Sequence, residues 1–112
     1  QSTERAAELP TYDLLGFLKE GEEYVGGNTM VARAKEMSAH LGQDDGEHLL
    51  KHQGDIPVAL CGKVVFVFTD WRHPDCSGNV AYVYWFGDRW VRGWGRLDVG
   101  SWHGYARVLR RK

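Results

Sequence analysis

The side chains of residues 80–94 are the group best suited to chemistry in this chain, and the chemistry they suit is binding. Trp85 and Trp90 flank the dipeptide Gly87-Asp88, and Arg92 and Trp94 follow at alternate positions. Tryptophan and arginine dominate binding hot spots because they bury a large area and keep a polar group for a partner. Arginine can also stack on an indole ring through a cation–π contact. The spacing therefore indicates a binding surface built on a β-hairpin.

The same dipeptide sets the register of that hairpin, because glycine in the first turn position favours a two-residue type II′ turn. The predicted cross-strand pairs are Trp85 with Trp90, Val83 with Arg92 and Ala81 with Trp94. The other face would carry Val80, Tyr82, Tyr84, Phe86 and Val91. We expect this second face to pack on the core, although the two roles could be reversed. The binding candidates are Trp85, Trp90, Arg92, Trp94 and Trp102; a tryptophan core is the alternative.

The segment Asp70–Gly78 concentrates reactive side-chain types in a predicted loop. A Cys76 nucleophile with His73 as base is one chemistry that this loop allows, and a metal site is another. Pairing of Asp70 or Asp75 with Arg72 is the structural alternative. His103 follows Trp102 in a later connection and could neighbour the tryptophan face. The catalytic candidates are therefore His73, Cys76 and His103, although no signature of an enzyme family surrounds them.

Asp44, His48 and His52 form the candidate metal set, since four-residue spacing places all three on one helical face. The zinc-peptidase pattern H-E-x-x-H is absent, and Lys51 opposes a cation beside the histidines. We expect both histidines to be solvent-exposed, with no metal and no cofactor bound.

The net charge of −1 conceals an asymmetry between the two halves of the chain. Residues 1–56 carry 11 acidic and 5 basic side chains, whereas residues 57–112 carry 4 and 9, which gives −6 and +5. Seven of the basic groups follow residue 88: Arg89, Arg92, Arg96, Arg107, Arg110, Arg111 and Lys112. A basic surface for nucleic acid is one interpretation. We favour the other, in which the acidic half docks beside the basic half.

Length and composition predict one soluble domain over residues 1–112, with residues 1–2 interpreted as the remnant of an expression tag. No apolar run is long enough to span a membrane, and no signal peptide is evident. Two cysteines, Cys61 and Cys76, make no disulfide scaffold, so we expect reduced thiols and a cytoplasmic location.

The predicted fold class is α+β, with helices in residues 11–54 and a sheet in residues 58–110. Helices are expected from Thr11, from Asn28 or Thr29 to Leu41, and from Asp45 to Gln53. Lys63–Thr69 is a continuous apolar run typical of a central strand buried on both faces. With the hairpin and Tyr105–Arg110, it predicts a four-stranded antiparallel meander that carries two or three helices. Gly93 and Gly95 would also permit a curled half-barrel.

The function expected from these observations is non-catalytic binding through a Trp/Tyr/Arg-rich sheet surface, with a homodimer or another protein as the partner. One alternative is an enzyme or small-ligand protein whose pocket joins Asp70–Cys76, Trp102-His103 and the tryptophan face. The other is nucleic-acid binding, which requires the C-terminal arginines to share one face.

Overall fold

A five-stranded sheet with an α-helix packed towards each face is the centre of the fold. The structure is a computed structural model, and it describes Leu9 and residues 11–98, 101–103 and 105–111. The expected tag remnant at residues 1–2 lies outside these ranges. The elements are β1 (Tyr12–Leu15), β2 (Tyr24–Gly26), α1 (Gly27–Glu36), α2 (Gln43–Lys51), β3 (Val65–His73), β4 (Cys76–Phe86), β5 (Arg89–Arg96), β6 (Ser101–His103) and β7 (Ala106–Arg111), with short 3₁₀ turns at Gln53–Asp55 and Val58–Leu60.

The strand order of the large sheet is β1-β7-β3-β4-β5, so β1 and β5 are its two edges. Neighbouring strands are antiparallel except for β3 and β7, which pair in parallel with Val67 beside Val108. Strands β2 and β6 form a separate antiparallel pair. Strand β3 is central, as its apolar run predicts.

The predicted architecture of two or three helices on a four-stranded meander is wrong. The described residues form two α-helices and seven strands in a mixed α/β arrangement, and the main sheet has five strands. The segment expected as the first helix is β1, because Tyr12 and Leu14 face one core cluster while Leu15 contacts the other. Apolar residues on both sides of a short strand resemble a helical stripe when only the sequence is considered.

The second and third predicted helices are present as α1 and α2, but both have bounds that differ from the prediction. Helix α1 buries Met30 and Ala34 as the stripe predicts, but it ends at Glu36, and Ser38 then takes a positive φ of 57°. Helix α2 begins at Gln43 after Gly42, and no side chain caps its first turn. Asp44 therefore lies inside the first turn, although a helix from Asp45 would place it at the N-cap.

The core has one cluster on each face of the large sheet. The α2 face carries Phe66, Phe68, Val83 and Trp90, which pack with Leu49 of α2. The α1 face carries Val67, Val80 and Val108, which pack with Met30 of α1 and Trp102 of β6. Because side chains alternate along each strand, these two faces decide where every candidate residue points.

Candidate functional site

The predicted hairpin between β4 and β5 is confirmed in register. Trp85 pairs with Trp90, Val83 with Arg92 and Ala81 with Trp94. Gly87 has a φ of 71°, and Asp88 has no positive φ, which is the combination that a type II′ turn requires. The tryptophan face of this hairpin is the α2 face of the sheet.

The two ends of that tryptophan face differ in accessibility. Trp90 is only 2% exposed and packs against Phe66 and Trp85, with ring centroids 5.1 and 5.5 Å apart. The core therefore uses Trp90, and a partner cannot reach it in this structure. Trp94 is partly buried and Arg92 is exposed, so the accessible part of the face lies further along β5.

Arg92 lies over two tryptophan rings. Its guanidinium carbon is 4.5 Å from the ring centroid of Trp94 and 5.8 Å from that of Trp71, and the two indoles meet edge to face at 6.1 Å. The small side chain of Ala81 pairs with both Phe68 and Trp94, which leaves room for the indoles to meet. Such cation–π contacts hold a guanidinium in place while its N–H donors remain available.

Trp71 reaches Arg92 because β3 is irregular there and α2 has a glycine. The register between β3 and β4 shifts between Phe68 and Arg72, at the position of Trp71. The indole then lies against Gly46, where an added Cβ would be 2.3 Å from two ring carbons. Trp71 is only 6% exposed, so it is the fixed wall of the site.

His73 completes the group that we call the Arg92 cluster, namely Trp71, His73, Arg92 and Trp94. Its ring meets Trp94 edge to face at 4.9 Å, and its Nδ1 accepts the backbone N–H of Asp75 at 3.0 Å. The neutral ring therefore keeps its proton on Nε2. Cys76 pairs with His73 across the turn and is exposed. The predicted loop Asp70–Gly78 is thus mostly strand.

The other candidates do not join this cluster. Trp102 packs on the α1 face, where its ring lies over Gly95 and meets Tyr82 at 6.2 Å. Its buried Nε1 has no hydrogen-bond partner among the described residues. His103 stacks with Tyr105 and lies tilted against Tyr24, with ring centroids 5.7 Å apart in each case. The enzyme alternative requires one pocket that joins Trp102-His103 to the tryptophan face of the hairpin. Trp102 packs on the α1 face and the tryptophan face is the α2 face, so such a pocket would have to cross the sheet.

The C-terminal arginines do not share one face either. Arg96 pairs with Asp98, Arg110 with Asp13 and Arg111 with Asp45. Alternation along β5 places Arg89 and Arg92 on opposite faces. In the part of the chain that the structure describes, no carboxylate pairs with Arg92. Its guanidinium lies over the rings of Trp94 and Trp71.

Asp45 is the most buried carboxylate among the ion pairs of the described residues. It accepts hydrogen bonds from Arg111 at 3.0 and 2.7 Å and from the Tyr12 hydroxyl at 3.0 Å. Burial alone would raise the pKa of Asp45, but these hydrogen bonds outweigh it and the pKa is lowered. Burial and the bond to Asp45 raise the pKa of Tyr12 to about 12. Clefts of about 470 and 420 Å³ lie beside this group.

The candidate metal histidines stack on each other instead of converging on an ion. The rings of His48 and His52 are 4.2 Å apart, and Nδ1 of His52 lies 2.9 Å from the carbonyl oxygen of His48. Within the described ranges, no three His, Cys, Asp or Glu side chains are placed to hold a metal.

The site contains two residues that sequence reasoning missed. Trp71 lay in a segment interpreted as a polar loop, and Gln53 was interpreted only as the end of a helix. Gln53 hydrogen-bonds the backbone of Trp90 through both atoms of its side-chain amide, at 2.9 Å each. Nothing in the local sequence indicates either contact, because both depend on the folded sheet.

Comparison with protein-family models, curated proteins and solved structures finds no match to this chain. Neither helix of the described residues is long and apolar enough to cross a membrane. Functional inference therefore depends on the geometry of the Arg92 cluster.

Proposed function

We propose that this protein is a non-catalytic binding module that takes an acidic group of a partner protein at the Arg92 cluster. The observation that carries the proposal is the state of Arg92 itself. Four other arginines, Arg33, Arg96, Arg110 and Arg111, are in ion pairs. Arg92 is exposed, pairs with no carboxylate of the described residues, and is held over two indoles.

The surroundings of Arg92 favour an anionic partner. Strand β5 carries Arg89, Arg92 and Arg96 and contains no acidic residue. A planar guanidinium that is already oriented loses less freedom when it binds a carboxylate through two parallel hydrogen bonds. The indoles of Trp71 and Trp94 add apolar area beside the charge, which is the composition of a hot spot.

A protein partner fits this site better than a small molecule or a nucleic acid. Arg92 is exposed on an edge strand of the sheet, and it does not line the clefts of about 470, 420 and 250 Å³, so an extended partner surface suits it. The scattered, paired arginines do not form the continuous cationic stripe that a phosphate backbone requires. We place this binding in the cytoplasm, in keeping with the free thiols of Cys61 and Cys76.

Self-association, expected from the aromatic surface, stays a prediction. A second copy would bring the same arginines to the interface, and like charges placed opposite each other oppose pairing. We therefore commit to a partner with carboxylates. The mass of the protein in solution, measured by light scattering at several concentrations, reports on the homodimer: a stable dimer that hides Arg92 would contradict the proposed partner.

The test uses a labelled, end-capped hexapeptide of alternating glutamate and valine, with fluorescence anisotropy as the readout. Arg92→Ala is expected to raise the Kd by about 10-fold or more, because a charge-assisted hydrogen-bond pair is lost. The Kd of Arg92→Lys is expected to lie between the values for the parent protein and for Arg92→Ala, since lysine keeps the charge but not the planar guanidinium.

Arg96→Ala is the matched control, because it removes one positive charge from the same face of the same strand. Its guanidinium is already paired with Asp98 and both side chains are well exposed, so the Kd should change by less than about 3-fold. A glutamine–valine peptide controls for the carboxylates. Equal losses of peptide affinity in Arg92→Ala and Arg96→Ala, or no binding of the glutamate–valine peptide, would contradict the proposal.

A further inference from the structure

Strand β5 is an edge of the sheet that the described residues form, and the hairpin register shows which of its backbone groups face outward. In a two-residue hairpin the pair that flanks the turn, here Phe86 and Arg89, exchanges hydrogen bonds. The next pair does not, so the N–H and C=O groups of Trp90 point away from β4. By the same alternation, those of Arg92 and Trp94 also point outward.

Gln53 provides independent support for this assignment. Its side-chain nitrogen donates to the carbonyl oxygen of Trp90, and its side-chain oxygen accepts the N–H of Trp90, both at 2.9 Å. These are the two bonds that a residue of an added strand would make. The side chain therefore occupies the first outward position of β5 and closes that end of the edge.

The next two outward positions, at Arg92 and Trp94, are unoccupied by the described residues. No backbone or side-chain hydrogen bond from that part of the chain reaches their outward groups. Unpaired backbone groups on an edge strand are a template for another extended segment. Both residues belong to the Arg92 cluster, so the free backbone and the unpaired guanidinium lie at the same place.

We infer that the acidic partner binds as an extended strand that adds to β5 beyond Gln53, with its backbone paired to Arg92 and Trp94. This inference rests on the proposed function and specifies the conformation of its partner. A glutamate on the strand would face Arg92, and the adjacent valines of an alternating peptide would face the opposite side of the sheet. Gln53 fixes the register, because the added strand cannot extend past Trp90 without displacing it.

Charged edges also protect proteins against unwanted strand pairing, and arginines on β5 could have only that role. The two roles differ in the chemistry of the partner, because a protective charge repels neutral or basic strands but does not select an acidic one. The test must therefore ask whether an acidic peptide pairs through its backbone.

The experiment compares three forms of the glutamate–valine hexapeptide: unmodified, N-methylated at its three odd amides, and N-methylated at its three even amides. N-methylation removes a backbone donor and leaves the side chains unchanged. An added strand directs alternate amides to β5, so one methylated form should bind at least about 10-fold more weakly. The other form should bind within about 3-fold of the unmodified peptide.

Amide hydrogen exchange on the protein provides the second measurement. Peptide at saturation should slow exchange of the Arg92 and Trp94 amides at least 10-fold. The Trp90 amide should be slow without peptide and become fast in Gln53→Ala, which removes its partner.

The outcomes separate the two claims. If Arg92→Ala abolishes binding but the methylated peptides bind equally well, strand addition is wrong and the proposed function survives. If the unmodified peptide does not bind, the proposed function fails and this inference fails with it. Unchanged exchange at Arg92 and Trp94 under saturating peptide would also overturn strand addition.

Discussion

Substituting Gly46 by alanine tests whether the wall of the Arg92 cluster is fixed in the way the structure describes. A Cβ at position 46 would lie 2.3 Å from two carbons of the Trp71 ring, against 3.4 Å for the lower limit of ordinary contact. The indole would therefore have to retreat by about 1.1 Å, the difference of these two distances. It has little room, because it also meets the rings of Phe68 and Trp94 at 6.2 and 6.1 Å.

Two opposing terms set the size of the effect. Alanine in place of glycine within α2 gains about 1 kcal/mol of helix propensity. Overpacking a rigid ring costs about 1–3 kcal/mol. Because a contact of 2.3 Å is severe, we take the upper part of this cost, about 2–3 kcal/mol, and expect a net destabilisation of about 1–2 kcal/mol. Each kcal/mol lowers the Tm by about 4–8 °C for a domain of this size. Any retreat of Trp71 also disturbs Arg92, so peptide binding should weaken in the same variant.

Thermal unfolding by circular dichroism and anisotropy with the glutamate–valine peptide measure the two effects. Gly16→Ala is the matched control, since a Cβ there meets no atom within 4 Å. It should leave both the Tm and the Kd nearly unchanged. A Gly46→Ala protein that is as stable as the parent and binds the peptide equally well would refute the reasoning.

Three further predictions concern the ion pairs and the two faces of the hairpin. Asp45→Ala should cost about 2 kcal/mol in urea unfolding, because the buried Tyr12 hydroxyl loses its acceptor. Asp13→Ala, which breaks the exposed pair with Arg110, should cost less than about 1 kcal/mol, and equal costs would contradict the assignment. The folded-state pKa of Asp45 is lowered, so its contribution to stability is complete above about pH 4 and lost as the pH falls through the folded-state pKa. Asp45→Asn should therefore flatten the decline in unfolding free energy below about pH 4, and parallel curves for the two proteins would count against this linkage. Phe86→Ala, at a side chain that is 64% exposed, should change stability by less than about 0.5 kcal/mol. Trp90→Ala should cost about 3–5 kcal/mol, and the reverse order would show that the hairpin faces are misassigned.

The sequence predicted the parts of the fold that depend on local pattern. The two-residue turn at Gly87-Asp88 determines every cross-strand pair of β4 and β5, so the register could be read directly. The uninterrupted apolar run of β3 required burial on both faces, which only a central strand provides. The stripe around Met30 likewise predicted α1.

The errors arose where an element depends on a distant partner. Strand β1 is only four residues long and pairs with β7 almost the whole chain away, as with Tyr12 and Arg111. The parallel pairing of β3 with β7 requires a crossover that no local signal indicates. A meander was the simplest interpretation of consecutive strands. It placed β7 beside the hairpin, whereas β7 lies between β1 and β3.

The candidate site was predicted in part. Arg92 and Trp94 were identified from their alternation, but the two hairpin faces are similarly aromatic. We expected the second face to pack on the core, whereas Trp90 of the first face and Val80 of the second are both buried. On the α1 face, Gly95 makes room for Trp102 of another strand, whereas on the α2 face Gly46 makes room for Trp71. Such complementary fits are visible only after folding, which is why Trp71 and Gln53 escaped the sequence analysis.

The most direct test of the central claim is a titration of the ¹⁵N–¹H correlation spectrum with the glutamate–valine hexapeptide. The account predicts that the backbone signals of Arg92 and Trp94 and the indole signal of Trp94 shift most, while the indole signal of Trp102 stays in place. Shifts centred on Tyr84 and Phe86 of the α1 face, or no shifts at millimolar peptide, would contradict it.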